Sequence, residues 1–144
     1  MSHTTTVDSV KITDVAALSA AVEELKANGI DCDLLQDALP RAYYPTQAGM
    51  DEKAPFVLKL NKGQYDIGFY EKEGVYEARF DNFMNRISEH LGTAQEGKDS
   101  AQNAIGKVLN LYSVHAVSRK ASMQGYRVQR VNNSDGSVQL RIAA

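Results

Sequence analysis

FVLKLNKGQYDIGFYEKEGVYEARF, residues 56–80, decides the fold of this chain. It separates into three apolar and aromatic runs, 56–60, 64–70 and 75–80, divided by Asn61-Lys62-Gly63 and Glu71-Lys72-Glu73-Gly74. Short apolar runs punctuated by glycine-bearing turns read as an antiparallel meander. Side chains alternate along a strand, so Phe56, Leu58 and Leu60 share one face, with Tyr65, Ile67, Phe69, Tyr76, Ala78 and Phe80 as companions. The opposite face then carries Lys59, Asp66, Glu77 and Arg79, a solvated surface with cross-strand ion pairs.

Upstream, residues 7–12 alternate weakly and predict an edge-type strand. Thr13 and Asp14 offer caps for a helix in which Val15, Leu18, Val22 and Leu25 recur at helical spacing, stopped by Asn28-Gly29. Ile30, Cys32 and Leu34 alternate with Asp31 and Asp33, a short return strand. Residues 40–55, with Tyr43, Tyr44 and Gly49, predict an irregular loop at the upper limit of ordinary length, either packed by its tyrosines or functional.

Downstream, Asp81 caps a short helix with the stripe Phe83, Met84, Ile87 and Leu91, closed by Gly92. Residues 93–98 form a polar connector. From 99 to 124, Ile105, Val108, Leu109, Tyr112, Ala116 and Met123 predict a long amphipathic helix, either continuous or broken near Ser113, and Gly125 ends it. Residues 126–131 and 137–142 flank an Asn-Asn-Ser-Asp-Gly turn and predict a hairpin. The order strand, helix, strand, meander, helices, hairpin predicts a single α+β domain over residues 1–144. Its sheet is mainly antiparallel, with helices on one face.

A chain of 144 residues, 43% hydrophobic and 24% charged, has enough apolar material for a real core and does not read as disordered. No apolar run approaches the roughly 20 residues that span a bilayer, and the N-terminus lacks the regions of a signal peptide. Cys32 is the only cysteine, which excludes an internal disulfide and suits a reducing compartment. The expected location is cytoplasmic, with no membrane partner.

Charge is distributed unevenly. Residues 1–100 carry 17 acidic and 10 basic side chains; residues 101–144 carry six basic ones against Asp135 alone. The whole-chain value of −2 conceals this split. A basic C-terminal segment on an acidic body either docks internally or faces an anionic partner.

Met1-Ser2-His3, Tyr65-Asp66-Ile67-Gly68-Phe69 and Asp135-Gly136-Ser137-Val138-Gln139-Leu140, with a helix running into Gly125-Tyr126-Arg127-Val128, form a familiar order. It resembles a family of short conserved open reading frames of algal plastids, cyanobacteria, other bacteria and bacteriophages. The resemblance covers almost the whole chain. It departs at Thr4-Thr5-Thr6, where the family has an aromatic, and at the 40–55 insertion. It implies a small α+β domain and brings no catalytic residue or cofactor with it. A phage source, and hence a host cytoplasm, rests on this resemblance alone.

The chemistry-bearing residues form no recognisable centre. His3, Cys32, His90 and His115 have no metal-ligand spacing, and His3 could hold copper at the amino terminus only if Met1 were retained. Cys32 lies between Asp31 and Asp33, which disfavour a thiolate, so it reads as a small core residue. His115 has Ser113 and Ser118 nearby but no acid on its own segment to orient the ring. His90 sits near a helix C-terminus, where its dipole accounts for it. Phosphate-binding glycine loops are absent, and the paired carboxylates sit where exposure is expected. The chain reads as non-enzymatic and without a cofactor.

Two functional readings follow. The first is a cytosolic interaction protein that binds a protein partner. The second is a weak single-stranded nucleic-acid binder acting through Arg119, Lys120, Arg127, Gln129, Gln139 and Arg141. The competing expectation is that these cations pair internally with acids such as Glu77, Asp66 or Asp81. Strand edges at 7–12 and in the terminal hairpin lack a proline guard, which predicts a homodimer.

Overall fold

The computed structural model describes residues 11–81, 86–92, 100–135 and 137–144. Expectations for His3, for the strand at 7–10, for Phe83 and Met84, for the connector 93–98 and for Asp99 and Gly136 lie outside the described residues. The elements are α1 (Val15–Ala27), β1 (Cys32–Ala38), β2 (Ala54–Leu60), β3 (Ile67–Lys72), β4 (Val75–Phe80), α2 (Arg86–His90), α3 (Ser100–Met123), β5 (Arg127–Asn132) and β6 (Val138–Ala143). The fold is α+β, with a four-stranded antiparallel sheet in the order β1-β2-β3-β4. The terminal hairpin, β5 and β6, does not join it and forms a second sheet of its own.

The meander sets Phe56, Phe69 and Ala78 in one cross-strand row and Leu58, Ile67 and Phe80 in another. These rows form the expected apolar face, and they pack with α1, α2 and α3 in one core. Asp14 caps α1 by accepting from Ala17 N–H at 3.1 Å, and Ala17, Leu18, Ala21, Val22 and Leu25 are its buried stripe. In α3, Ile105, Val108, Leu109 and Tyr112 are buried as the periodicity requires. The helix runs unbroken through Ser113, and Met123, assigned to the stripe, is instead 80% exposed at its end.

Three local expectations are corrected. β3 begins at Ile67 rather than at Gln64, because Asp66 is 3% exposed and holds Arg41 rather than facing solvent. Arg41 donates to both Asp66 oxygens, at 3.0 and 2.8 Å, and to the carbonyls of Gly63 and Leu60. The β3–β4 connection is a tight two-residue turn, Glu73 at φ 54° and Gly74 at φ 82°, between the paired Lys72 and Val75. Left-handed conformation at both central positions matches the right-handed twist of the flanking strands, and Gly74 meets it without steric cost.

The third correction concerns the sheet's second face, which is covered rather than solvated. Within the row Leu35, Val57, Gly68, Arg79, the last three lie under residues 40–53, while Leu35 at the β1 end stays exposed. Met50, Ala48, Ala54 and Val57 are buried there, whereas Tyr43 and Tyr44 are exposed, so the loop is not packed by its tyrosines. Polar pins hold it: Arg79 donates to Gly49 O, Tyr70 to Glu52 O, and Tyr44 N–H to Asp81. A Cβ on Gly68 would stand 2.8 Å from the Tyr70 ring and 3.1 Å from Pro40, which is why this strand position has no side chain. Residue 12 of the expected first strand makes one bridge, Tyr76 N–H donating to Ile12 O at 2.8 Å on the outer edge of β4.

Candidate functional site

Four of the six surface residues singled out in the sequence do meet. The hairpin register sets Gln129 against Arg141, Val131 against Gln139 and Arg127 against Ala143. Arg127, Gln129, Gln139 and Arg141 therefore stand on one face, and all four are exposed. Its other face carries Val128, Val138 and Leu140, half-buried on the side that bears the groove against α3. Among the described residues, neither Arg127 nor Arg141 has a carboxylate partner.

The remaining two belong to a different place. Arg119 Nε donates to Asp14 Oδ2 at 2.9 Å, tying the C-terminal half of α3 to the cap of α1. Lys120 borders a shallow groove with Thr13, Tyr112 and Met123. The expected internal partners are otherwise engaged: Asp66 with Arg41, Glu77 with Arg79, and Asp81 with the Tyr44 N–H. So the basic segment is partly neutralised, but through Asp14 and Glu24, and its hairpin face is left over.

The Glu24 contact went unread in the sequence. Arg130 Nη1 and Nη2 donate to Glu24 Oε1 and Oε2 at 2.7 and 2.8 Å. His115 Nε2 shares Oε1 at 2.9 Å. The Arg130 hydrogen bonds, opposed by burial and reinforced by His115, hold the Glu24 carboxyl down at about 2. A signal was present: Arg130 alternates in phase with Val128, so a cation was bound to point toward the body, where it needs an acid.

An acid for His115 thus exists after all, supplied by α1 rather than by its own helix. It does not build a catalytic triad. Ser113 makes no bond to His115, and among the described residues the ring's other nitrogen has no partner. The same carboxylate is committed to Arg130. Beside this junction, a groove of about 690 Å³ runs between α1, α3 and the hairpin, walled by Asn28, Asn110, Leu111, Val114, Asn132 and Val138. Of its charged members, Arg130 is paired with Glu24, and the Lys107 ammonium donates to the Leu91 carbonyl.

Cys32 is buried in the core, and burial, with Asp33 adding to it, pushes its thiol up to about 11. That is the wrong direction for a nucleophile. Among the described residues, no three His, Cys, Asp or Glu side chains gather in a way that could hold a metal ion, and no helix is long and apolar enough to cross a membrane. Comparison with family models, curated proteins and solved structures gives no match to this chain.

Proposed function

We propose that this chain is a non-enzymatic cytosolic interaction protein whose C-terminal hairpin docks on an acidic segment of a protein partner. One observation carries the reading: Arg127 and Arg141 stand exposed on a common face with Gln129 and Gln139, while Arg119 and Arg130 of the same segment are spent on Asp14 and Glu24. A flat face with two unmatched guanidinium groups and two amides suits carboxylates and the polar edges of an extended peptide. The lone thiol, held in the core, is compatible with a reducing cytosol.

A polynucleotide fits this face less well. Two unmatched cations neutralise few phosphates, no aromatic on the face offers a stacking platform, and the chain's net charge is −2. The test is fluorescence anisotropy with two labelled probes at low salt, an extended peptide of alternating glutamate and threonine, and an oligothymidylate. The peptide should bind, weaken as salt rises, and be lost in the Arg127→Ala, Arg141→Ala double variant. Binding of the oligothymidylate in preference to the peptide would replace this reading with the nucleic-acid one.

A further inference from the structure

We infer that the acidic segment taken by the hairpin is the free edge of β1 in a second copy of this chain, the exchange being reciprocal. This rests on the hairpin reading above and names its partner. β1 closes the sheet on one side, whereas the far strand, β4, receives Ile12 on its edge. Among the described residues, no backbone hydrogen bond joins β1 to anything but β2. Leu35, Gln36 and Asp37 are exposed there, and Leu39 just beyond is 59% exposed. A strand with an unused row of N–H and C=O groups is a template for another strand.

The edge is acidic. Asp31 precedes β1, and Asp33 and Asp37 lie within it. Lys26 is bonded to Asp33, and Lys59 stands opposite it on β2, but among the described residues nothing matches Asp37. The register of β1 on its own copy that is centred on Leu35 is disfavoured, because it sets Asp33 against Asp37.

The hairpin has the complementary properties. Each of its strands is six residues long against the seven of β1, and among the described residues each has an outer edge without a partner strand. Added to β1, one orientation of the hairpin sets Arg127 and Arg141 on the sheet face that carries Asp33 and Leu35, with Asp37 two positions further along the strand. Two such contacts, each hairpin on the other copy's β1, close into a symmetric dimer rather than an open chain.

The test uses two variants and their mixture, measured by size-exclusion chromatography with light scattering across a concentration and salt series. One is Arg127→Glu with Arg141→Glu, which makes the hairpin acidic. The other is Leu35→Lys with Asp37→Asn, which makes the β1 edge basic while asparagine keeps the positive φ of 49° at residue 37. The wild type should be a dimer that salt weakens. Each variant alone should raise the dissociation constant by on the order of a hundred-fold, because like charges then face one another at both contacts. An equimolar mixture should recover the dimer, since both contacts of the mixed pair are again complementary.

Circular dichroism of each variant establishes that it is folded. A monomeric wild type, variants that dimerise as the wild type does, or a mixture that stays monomeric would each overturn the inference. An open series of larger species would overturn its reciprocal closure. A monomer that still binds the glutamate-threonine peptide loses the second copy as partner and keeps the hairpin as interface; a monomer that binds no peptide loses both.

Discussion

Arg130 and Glu24 meet across 106 residues of chain, two guanidinium nitrogens on two carboxylate oxygens at 2.7 and 2.8 Å, and so fasten the terminal hairpin to α1. An isolated two-stranded hairpin is marginal in water. Here its apolar side is only half-buried, so a bidentate ion pair at its middle contributes more to its placement than a surface pair ordinarily would.

Replacing Glu24 by glutamine should cost about 1–2 kcal/mol, the value of a partly exposed bidentate pair rather than a buried one. Loss of structure should be local: amide exchange should rise in β5 and β6 while the four-stranded sheet stays protected. Uniform change across both sheets would show that the joint is not local.

The same carboxylate gives a pH dependence. Its folded value is about 2 against an ordinary 4.5, so its contribution is complete above pH 4.5 and is lost as pH falls toward 2. Urea midpoints of the wild type should therefore decline across that interval more steeply than those of Glu24→Gln. Parallel declines in the two proteins would assign the acid sensitivity to other carboxylates.

Asp66 is the other carboxylate with a large structural role. It accepts from Arg41 N–H as well as the Arg41 side chain, and from Leu60 N–H at 3.4 Å, at a place where it is almost fully buried. Asp66→Ala should destabilise by about 2–4 kcal/mol, because it leaves the guanidinium with neutral carbonyl partners only and takes the acceptor from two backbone donors. Arg41→Ala should cost less, since the carboxylate keeps its backbone donors. The order is read from chemical denaturation, and limited proteolysis should cut the Asp66→Ala variant first within residues 40–53. Equal losses in the two variants would mean that the pair acts only as a unit.

The legible part of this fold was whatever repeats at short range. Apolar alternation in 56–60 and 75–80 and the 3.6-residue spacing of Leu18, Val22 and Leu25 each follow from local geometry, and the structure keeps them. The strand start at Ile67 and the burial of Asp66 depend on Arg41, 25 positions away, and the burial of Val57 on residues 40–53 folding back over the sheet, neither of which a local period records. The hairpin face was readable because period two and register alone fix it. Which of its neighbours were already paired was not, since Arg119–Asp14 and Arg130–Glu24 join opposite ends of the chain.

Glu73 adopts φ 54°, an unfavourable setting for a side chain that lacks the local hydrogen bonding of asparagine. Glu73→Asn should stabilise the protein by about 0.5–1 kcal/mol through the β3–β4 turn, since Asn-Gly is the preferred pair there. Gly74→Ala should destabilise it by a similar amount or more. Thermal unfolding checks both, and a stabilising Gly74→Ala would contradict the turn geometry.

Tyr112 closes α3 against the start of α1 through its hydroxyl, which accepts from Thr13 N–H at 2.9 Å and Asp14 N–H at 3.0 Å. Its ring is buried in the core, so the residue carries both an apolar and a polar function. Tyr112→Phe keeps the ring and removes only the acceptor, leaving two part-buried backbone donors without a partner. The expected cost is about 1–3 kcal/mol, the penalty for an unsatisfied buried donor rather than for lost packing. Because the apolar surface is unchanged, the denaturant slope should match the wild type while the midpoint falls. Exchange of the Thr13 and Asp14 amides should accelerate by a larger factor than exchange within the α1 stripe of Leu18, Val22 and Leu25. Stability within about 0.5 kcal/mol of the wild type, with those two amides equally protected, would show that the donors find another acceptor and that this hydroxyl does not join the two helices.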